Sequence, residues 1–169
     1  MMKADFRRYQ GKDKDFLKYM KKMDDGAKKF GHLAIFYNDH PDRKMRQKAM
    51  ELYRQALYID PERTDLMTGY IRLLREFGRK ADAEEMTAKA FEQVEEMRNH
   101  GWRVALYLTK MAMVHLAAGE PDKAKPYIEP FGTSGLYHKD ECCLWTDGVV
   151  YVSTIDNNSW TPEGYPQGW

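Results

Sequence analysis

Cysteine is scarce in this chain. There are two in 169 residues, and they are neighbours, Cys142 and Cys143. Adjacent cysteines rarely bridge each other, so no disulfide framework is available and reduced, inert thiols are expected. Long apolar runs are also lacking: stretches such as Leu33-Ala-Ile-Phe-Tyr37 are far too short to span a bilayer. The first residues, Met-Met-Lys-Ala-Asp-Phe-Arg-Arg, have no apolar stretch of the signal-peptide kind, so a cytoplasmic location is expected. Net charge is close to nil, at +1, which argues against a chain given over to binding polyanions. No glycine-rich phosphate cradle occurs.

What is present is a charged, aromatic-rich sequence with enough apolar residues, 43%, to build a core. Its charge is uneven. Residues 1–30 carry a net +5, the middle hundred residues are neutral, and residues 131–169 carry −4. A basic head and an acidic tail can attract each other, within one chain or between two.

The clearest pattern is the stretch 49–61, Ala-Met-Glu-Leu-Tyr-Arg-Gln-Ala-Leu-Tyr-Ile-Asp-Pro. It places Ala49 and Ala56 on one helical face, where small residues let a neighbouring helix approach. The pattern returns 34 residues later, with Ala49 matched by Ala83, Ala56 by Ala90, Leu52 by Met86 and Leu57 by Phe91. Such a period predicts stacked helical hairpins.

Read in order, residues 13–23 predict a helix with Phe16, Leu17, Met20 and Met23 as its apolar stripe and lysines around it. Residues 27–39 and 43–59 predict the first hairpin, turning at His40-Pro41-Asp42. The second begins near Thr64, with Met67, Tyr70, Ile71 and Leu74 inward, turns at Gly78 and continues over 82–98. The third begins near Trp102, carries Leu108, Met111, Ala112 and His115, and turns at Gly119. Its partner helix, with Ala124, Tyr127 and Ile128, is expected to be short or irregular because of Pro126 and Pro130. Beyond Phe131 the material changes. Runs 141–146 and 149–155 flank Asp147-Gly148, which predicts a β-hairpin with a type I′ turn. The last thirteen residues hold too much glycine and proline for a helix, and Trp160, Tyr165 and Trp169 need cover from water. The expected organisation is a basic arm at 1–25, a helical array at 26–131, and a β-hairpin with an irregular aromatic tail at 132–169.

The array resembles the tetratricopeptide repeat family. Ala49, Tyr53, Ala56 and Pro61 carry the resemblance in the first unit, Gly78, Ala83 and Ala90 in the second, and Ala112, Gly119 and Ala124 in the third, over residues 30–130. The pattern departs from the family where Tyr37 and Ile71 stand in place of small residues, at Thr87, and in the 41-residue step from Gly78 to Gly119. The resemblance implies a mainly α fold of about three antiparallel hairpins and a concave face that binds an extended peptide or helix. By position that face holds Ala34, Asn38, Asp65, Thr68, Arg72, Arg75, Thr109, Lys110 and Met113. Asn38 and Arg72 occupy equivalent places, where the family's chaperone-binding members grip a terminal carboxylate; Asp65 and Thr68 leave that grip incomplete here.

Catalysis is not expected. His138, Asp140, Glu141, Cys142 and Cys143 are the only dense cluster of ligand types, and their spacing is not that of a zinc site. His115 falls at an inward position and reads as a core histidine. No metal, cofactor or small-molecule substrate is expected, nor any membrane partner. The favoured function is a non-catalytic module that binds a partner protein or peptide. The alternative is a self-associating adaptor, a homo-oligomer in which the hairpin and Trp160, Tyr165 and Trp169 pack on the chain's own helices or on a second subunit's. Nucleic-acid binding by the lysine-rich head is the weakest option, because the chain as a whole is not basic.

Overall fold

A computed structural model describes residues 13–100 and 104–169. The segment 1–12, about half of the expected basic arm, lies outside the described residues, as does Trp102. The chain is mainly helical, with six α-helices among the described residues and one small antiparallel sheet. It divides into two compact units, one up to Leu73 and one from Leu74 onward.

In the first unit, α1 (Asp13–Met20) buries Phe16 and Met20, one helical turn apart. Phe16 stacks on Phe36 of α2 (Ala27–Asn38) at 4.7 Å between ring centres. Leu17, Tyr19, Met23 and Leu33 close around this pair. α3 (Arg43–Ile59) starts at a capping residue, Asp42, whose carboxylate accepts the backbone N–H of Lys44 at 2.8 Å. Its buried stripe is Ala49, Leu52, Tyr53, Ala56 and Leu57, as the spacing predicts; Met45, expected with them, is only half-buried. α2 and α3 pack against each other as a hairpin. α4 (Thr64–Glu76) sends Leu66, Met67, Tyr70, Ile71, Leu73 and Leu74 inward. Close approach depends on two glycines here. Gly31 lies against Leu66, and Gly69 lies under the Tyr53 ring, with no room for a side chain.

The second unit begins within α4, and α5 (Lys80–Asn99) and α6 (Val104–Ala118) follow. α4 and α6 stop in the same way. Gly78 and Gly119 adopt φ of 77° and 78°, and the next N–H in each case reaches back to a carbonyl five residues earlier, Arg79 to Leu74 and Glu120 to His115. This left-handed closure satisfies carbonyls that the helix end would leave bare.

No second α-helix follows α6. A single 3-10 turn, Asp122–Ala124, stands where the expected helix would start. Pro126 is the cause: it holds Lys125 extended, at ψ 120°, and has no N–H to continue a helical ladder. The chain instead runs beside the sheet, where Leu144 donates to the carbonyl of Lys125 and accepts from Tyr127.

β1 (Cys142–Leu144) pairs antiparallel with β2 (Val150–Val152), Cys143 opposite Tyr151. Both strands are shorter than expected. The turn also differs from the expected type I′, which needs positive φ at Asp147 as well as Gly148. Only Gly148 has it, at 82°, and the pairing closes at Trp145 and Val149, giving a three-residue loop. Tyr107 packs on this loop: its hydroxyl lies over Gly148 so closely that no side chain fits, and it donates to the Asp147 carbonyl at 3.4 Å.

Candidate functional site

Where each unit places the expected site residues decides what they can do. In the first unit Asn38 is buried. Its side-chain carbonyl accepts from the Tyr53 hydroxyl at 3.4 Å, and its amide donates to Asp39 at 2.5 Å. Thr68 is buried too, and its hydroxyl donates to the Asp65 carbonyl oxygen at 3.0 Å. The Asp65 carboxylate takes two hydrogen bonds from Arg63, at 2.8 and 2.7 Å. Arg72 is exposed, 3.8 Å from Asp39. Asp65, Thr68 and Arg72 thus share one face of α4, and Arg72 meets Asn38 only through Asp39. Asn38 and Thr68 are committed to internal bonds, which leaves Arg72 as the group of this set offered to solvent.

In the second unit, Arg75 is exposed and its guanidinium lies against Gly119 at the end of α6. α6 itself carries Thr109, Lys110 and Met113. Its inward face is Tyr107, Met111, Val114, His115 and Ala117. Its outward face is not polar. Leu106, Met113 and Leu116 are 41%, 40% and 56% exposed, with exposed Thr109 between them, while Lys110 is half-buried at the edge. The four positions are spaced by three, four and three residues. That is the seam spacing of a coiled coil, about 15 Å long. By position the sequence puts Thr109, Lys110 and Met113 on a binding face, and does not single out Leu106 or Leu116. A signal was there: Val104–Ala118 has one lysine, one histidine and no acidic residue, and a helix apolar on all sides expects cover on all sides.

The aromatic tail is folded onto its own unit. Trp169 packs edge-on against Tyr137 at 4.9 Å, and Tyr137 stacks on Tyr127, which meets Trp145 edge-on. The Trp169 indole donates to the Trp160 carbonyl at 2.8 Å. Trp160 and Tyr165 pair at 6.2 Å between ring centres and remain partly exposed. The anchor, unforeseen from the sequence, is Asn158. It is fully buried, its amide donates to Gly168 O and Ser153 Oγ, and its side-chain oxygen accepts from Trp160 N.

The two thiols are not activated. Burial pushes the Cys143 thiol up to about 12 and raises that of Cys142, against the direction a nucleophilic thiolate needs. A cavity of 300 Å³ lies beside them, lined by Asp122, Lys125, Tyr137, Asp140, Glu141 and Cys142. At its rim Lys125 donates to Asp122 at 2.8 Å, and Glu141 accepts from the His138 N–H at 2.8 Å. His115 lies against the Phe91 ring with its Nδ1 2.9 Å from Glu120, whose pKa is lowered first by Lys123 and then by His115. Burial, then Glu95, pushes the Tyr107 hydroxyl up to about 12. Among the described residues no group of three or more His, Cys, Asp and Glu side chains is arranged to hold a metal ion, and no helix is long and apolar enough to cross a membrane.

No protein-family model matches this chain, nor does any curated protein or solved structure.

Proposed function

We propose that this chain is a non-catalytic protein-interaction module, a helical array of the tetratricopeptide kind, and that α6 presents its docking seam. One observation carries the reading: Leu106, Met113 and Leu116 stand exposed at heptad spacing on a helix whose opposite face is already buried. The partner that fits is a protein with an amphipathic helix, whose apolar stripe would cover the seam knob by knob. Arg75, exposed at the end of α4 against Gly119, would contact acidic groups of that partner and set its orientation more than its affinity. Cytoplasmic adaptor or scaffold work is the role that goes with such a surface.

The test is capture from native lysate, quantified by mass spectrometry, with wild type beside Met113→Glu/Leu116→Glu. Specific partners should be lost from the double variant while its far-ultraviolet circular dichroism stays that of the wild type. Undiminished capture would sink the α6 seam. Loss in Arg72→Glu or Arg75→Glu alone, with the seam variant unaffected, would move the docking surface to α4.

A further inference from the structure

We propose that β2 pairs with the β2 strand of a second copy of this chain, antiparallel about a two-fold axis at Tyr151. The surface is separate from the α6 seam. In the β1–β2 ladder the hydrogen-bonded pairs are Glu141 with Ser153, Cys143 with Tyr151, and Trp145 with Val149. The alternate residues, Val150 and Val152, therefore direct their N–H and C=O groups away from β1. The outer edge of β1 bonds to Lys125 and Tyr127, and beyond Val152 the tail covers β2, with Thr154 bonded to Gly168 and Gln167. Among the described residues no strand meets the outward groups of Val150 and Val152.

This open window identifies its own occupant. Val150-Tyr151-Val152 reads the same in both directions, so an antiparallel copy brings Val150 opposite Val152 of the second copy, twice. Four hydrogen bonds form, each N–H of Val150 and Val152 donating to the facing carbonyl, and no outward group is left over. On one face the valines make two cross-strand pairs, which suit β-branched side chains. Tyr151 meets its counterpart on the other face, on the axis. Such an interface is isologous and closes at two. The edge also lacks the usual guards against pairing. No charged residue and no proline lies between Asp147 and Asp156, and Val149 and Val152 are about half exposed. A two-stranded sheet is marginal alone, and the pairing makes it four-stranded.

Sedimentation of the full chain from low micromolar to millimolar concentration tests the proposal. The wild-type mass should rise from 19.9 kDa toward twice that value. Val152→Lys should stay at the single-chain mass with unchanged circular dichroism, and Leu116→Glu should dimerise like the wild type. A second variant covers the case of a misfolded lysine mutant. Tyr151→Cys, made in a Cys143→Ser chain because Cys143 stands opposite it in the hairpin, places thiols on the axis in a pair with a Cα separation of about 4.5 Å, within disulfide range. With oxidised glutathione it should give a disulfide dimer on a non-reducing gel, lost on reduction, faster than the Cys143→Ser chain that keeps Tyr151, which serves as the background, and Thr154→Cys in that same chain should not. A wild type that keeps the single-chain mass throughout overturns the proposal, as does dimerisation of Val152→Lys equal to wild type, or cross-linking of Tyr151→Cys no faster than background.

Discussion

Asn158→Asp is the sharpest probe of the C-terminal unit, because it changes one atom in a side chain with no exposed surface. The native amide nitrogen donates to Gly168 O at 2.7 Å and to Ser153 Oγ at 3.1 Å. The introduced carboxylate would set an oxygen there instead, facing the Gly168 carbonyl. Losing two donated hydrogen bonds costs about 1 kcal/mol each, and burying an unpaired charge adds several more until the site relaxes or protonates. A loss of about 3–5 kcal/mol at neutral pH is expected. Asn158→Ala removes three side-chain bonds without adding charge, and should cost about 2–3 kcal/mol. Gly168 O keeps Thr154 N as a donor in both cases, which limits the damage. The two variants part company with pH. Burial raises the folded-state pKa of the new carboxyl, so its penalty is absent below the unfolded value near 4 and grows as pH rises. Urea unfolding followed by tryptophan fluorescence, at pH 4 and pH 7, reads both effects. A cost below about 1 kcal/mol at pH 7, or a cost that acid does not reduce, would refute the claim that this amide pins the tail.

Two glycines with similar φ, Gly148 and Gly78, should respond differently to alanine. Gly78→Ala meets open space and should cost only the left-handed backbone, about 1–2 kcal/mol, whereas Gly148→Ala also drives a methyl into the Tyr107 hydroxyl and should cost about 3 kcal/mol or more by thermal melting. Gly69→Ala, which forces the Tyr53 ring aside, should destabilise the first unit by about 1–3 kcal/mol in urea, with the loss visible in the helical signal. Alkaline pH should weaken the second unit. The Cys143 thiol stays protonated up to about 12 in the folded chain against 9 in the unfolded one, so stability is fully present below pH 9 and falls as pH rises across that window, by at most about 1.4 kcal/mol per pH unit. Cys143→Ala should show a shallower decline in the same titration, and an identical slope would refute the buried-thiol account.

The helices up to Gly119 were legible in the sequence because each rests on local chemistry. The alanine-spaced stripe of α3, the turn at His40-Pro41-Asp42 and the closing glycines Gly78 and Gly119 act within a turn or two of the chain, and local patterns report local forces. The mainly α character, the buried sets of α3 and α4, and the two short strands follow from them. The site was legible only in part. Thr109 and Met113 were placed on an exposed face of α6. Asn38 and Thr68 were not recognised as buried, because their burial depends on Tyr53 and on the packing of α2, α3 and α4.

What the sequence determined alone is therefore the periodic helical framework and the places where it stops. Tertiary structure decided the rest, through contacts between residues far apart in the chain. Tyr107, on α6, lies over Gly148 forty-one residues later and leaves no room there for a side chain. Pro126 turns an expected helix into an extended segment, but only Leu144 gives that segment a partner. Asn158 gathers Ser153, Trp160 and Gly168, so Trp169 packs on Tyr137 of its own unit while Trp160 and Tyr165 stay exposed. A single side chain's propensity carries no record of such encounters; they exist only once the chain has closed on itself.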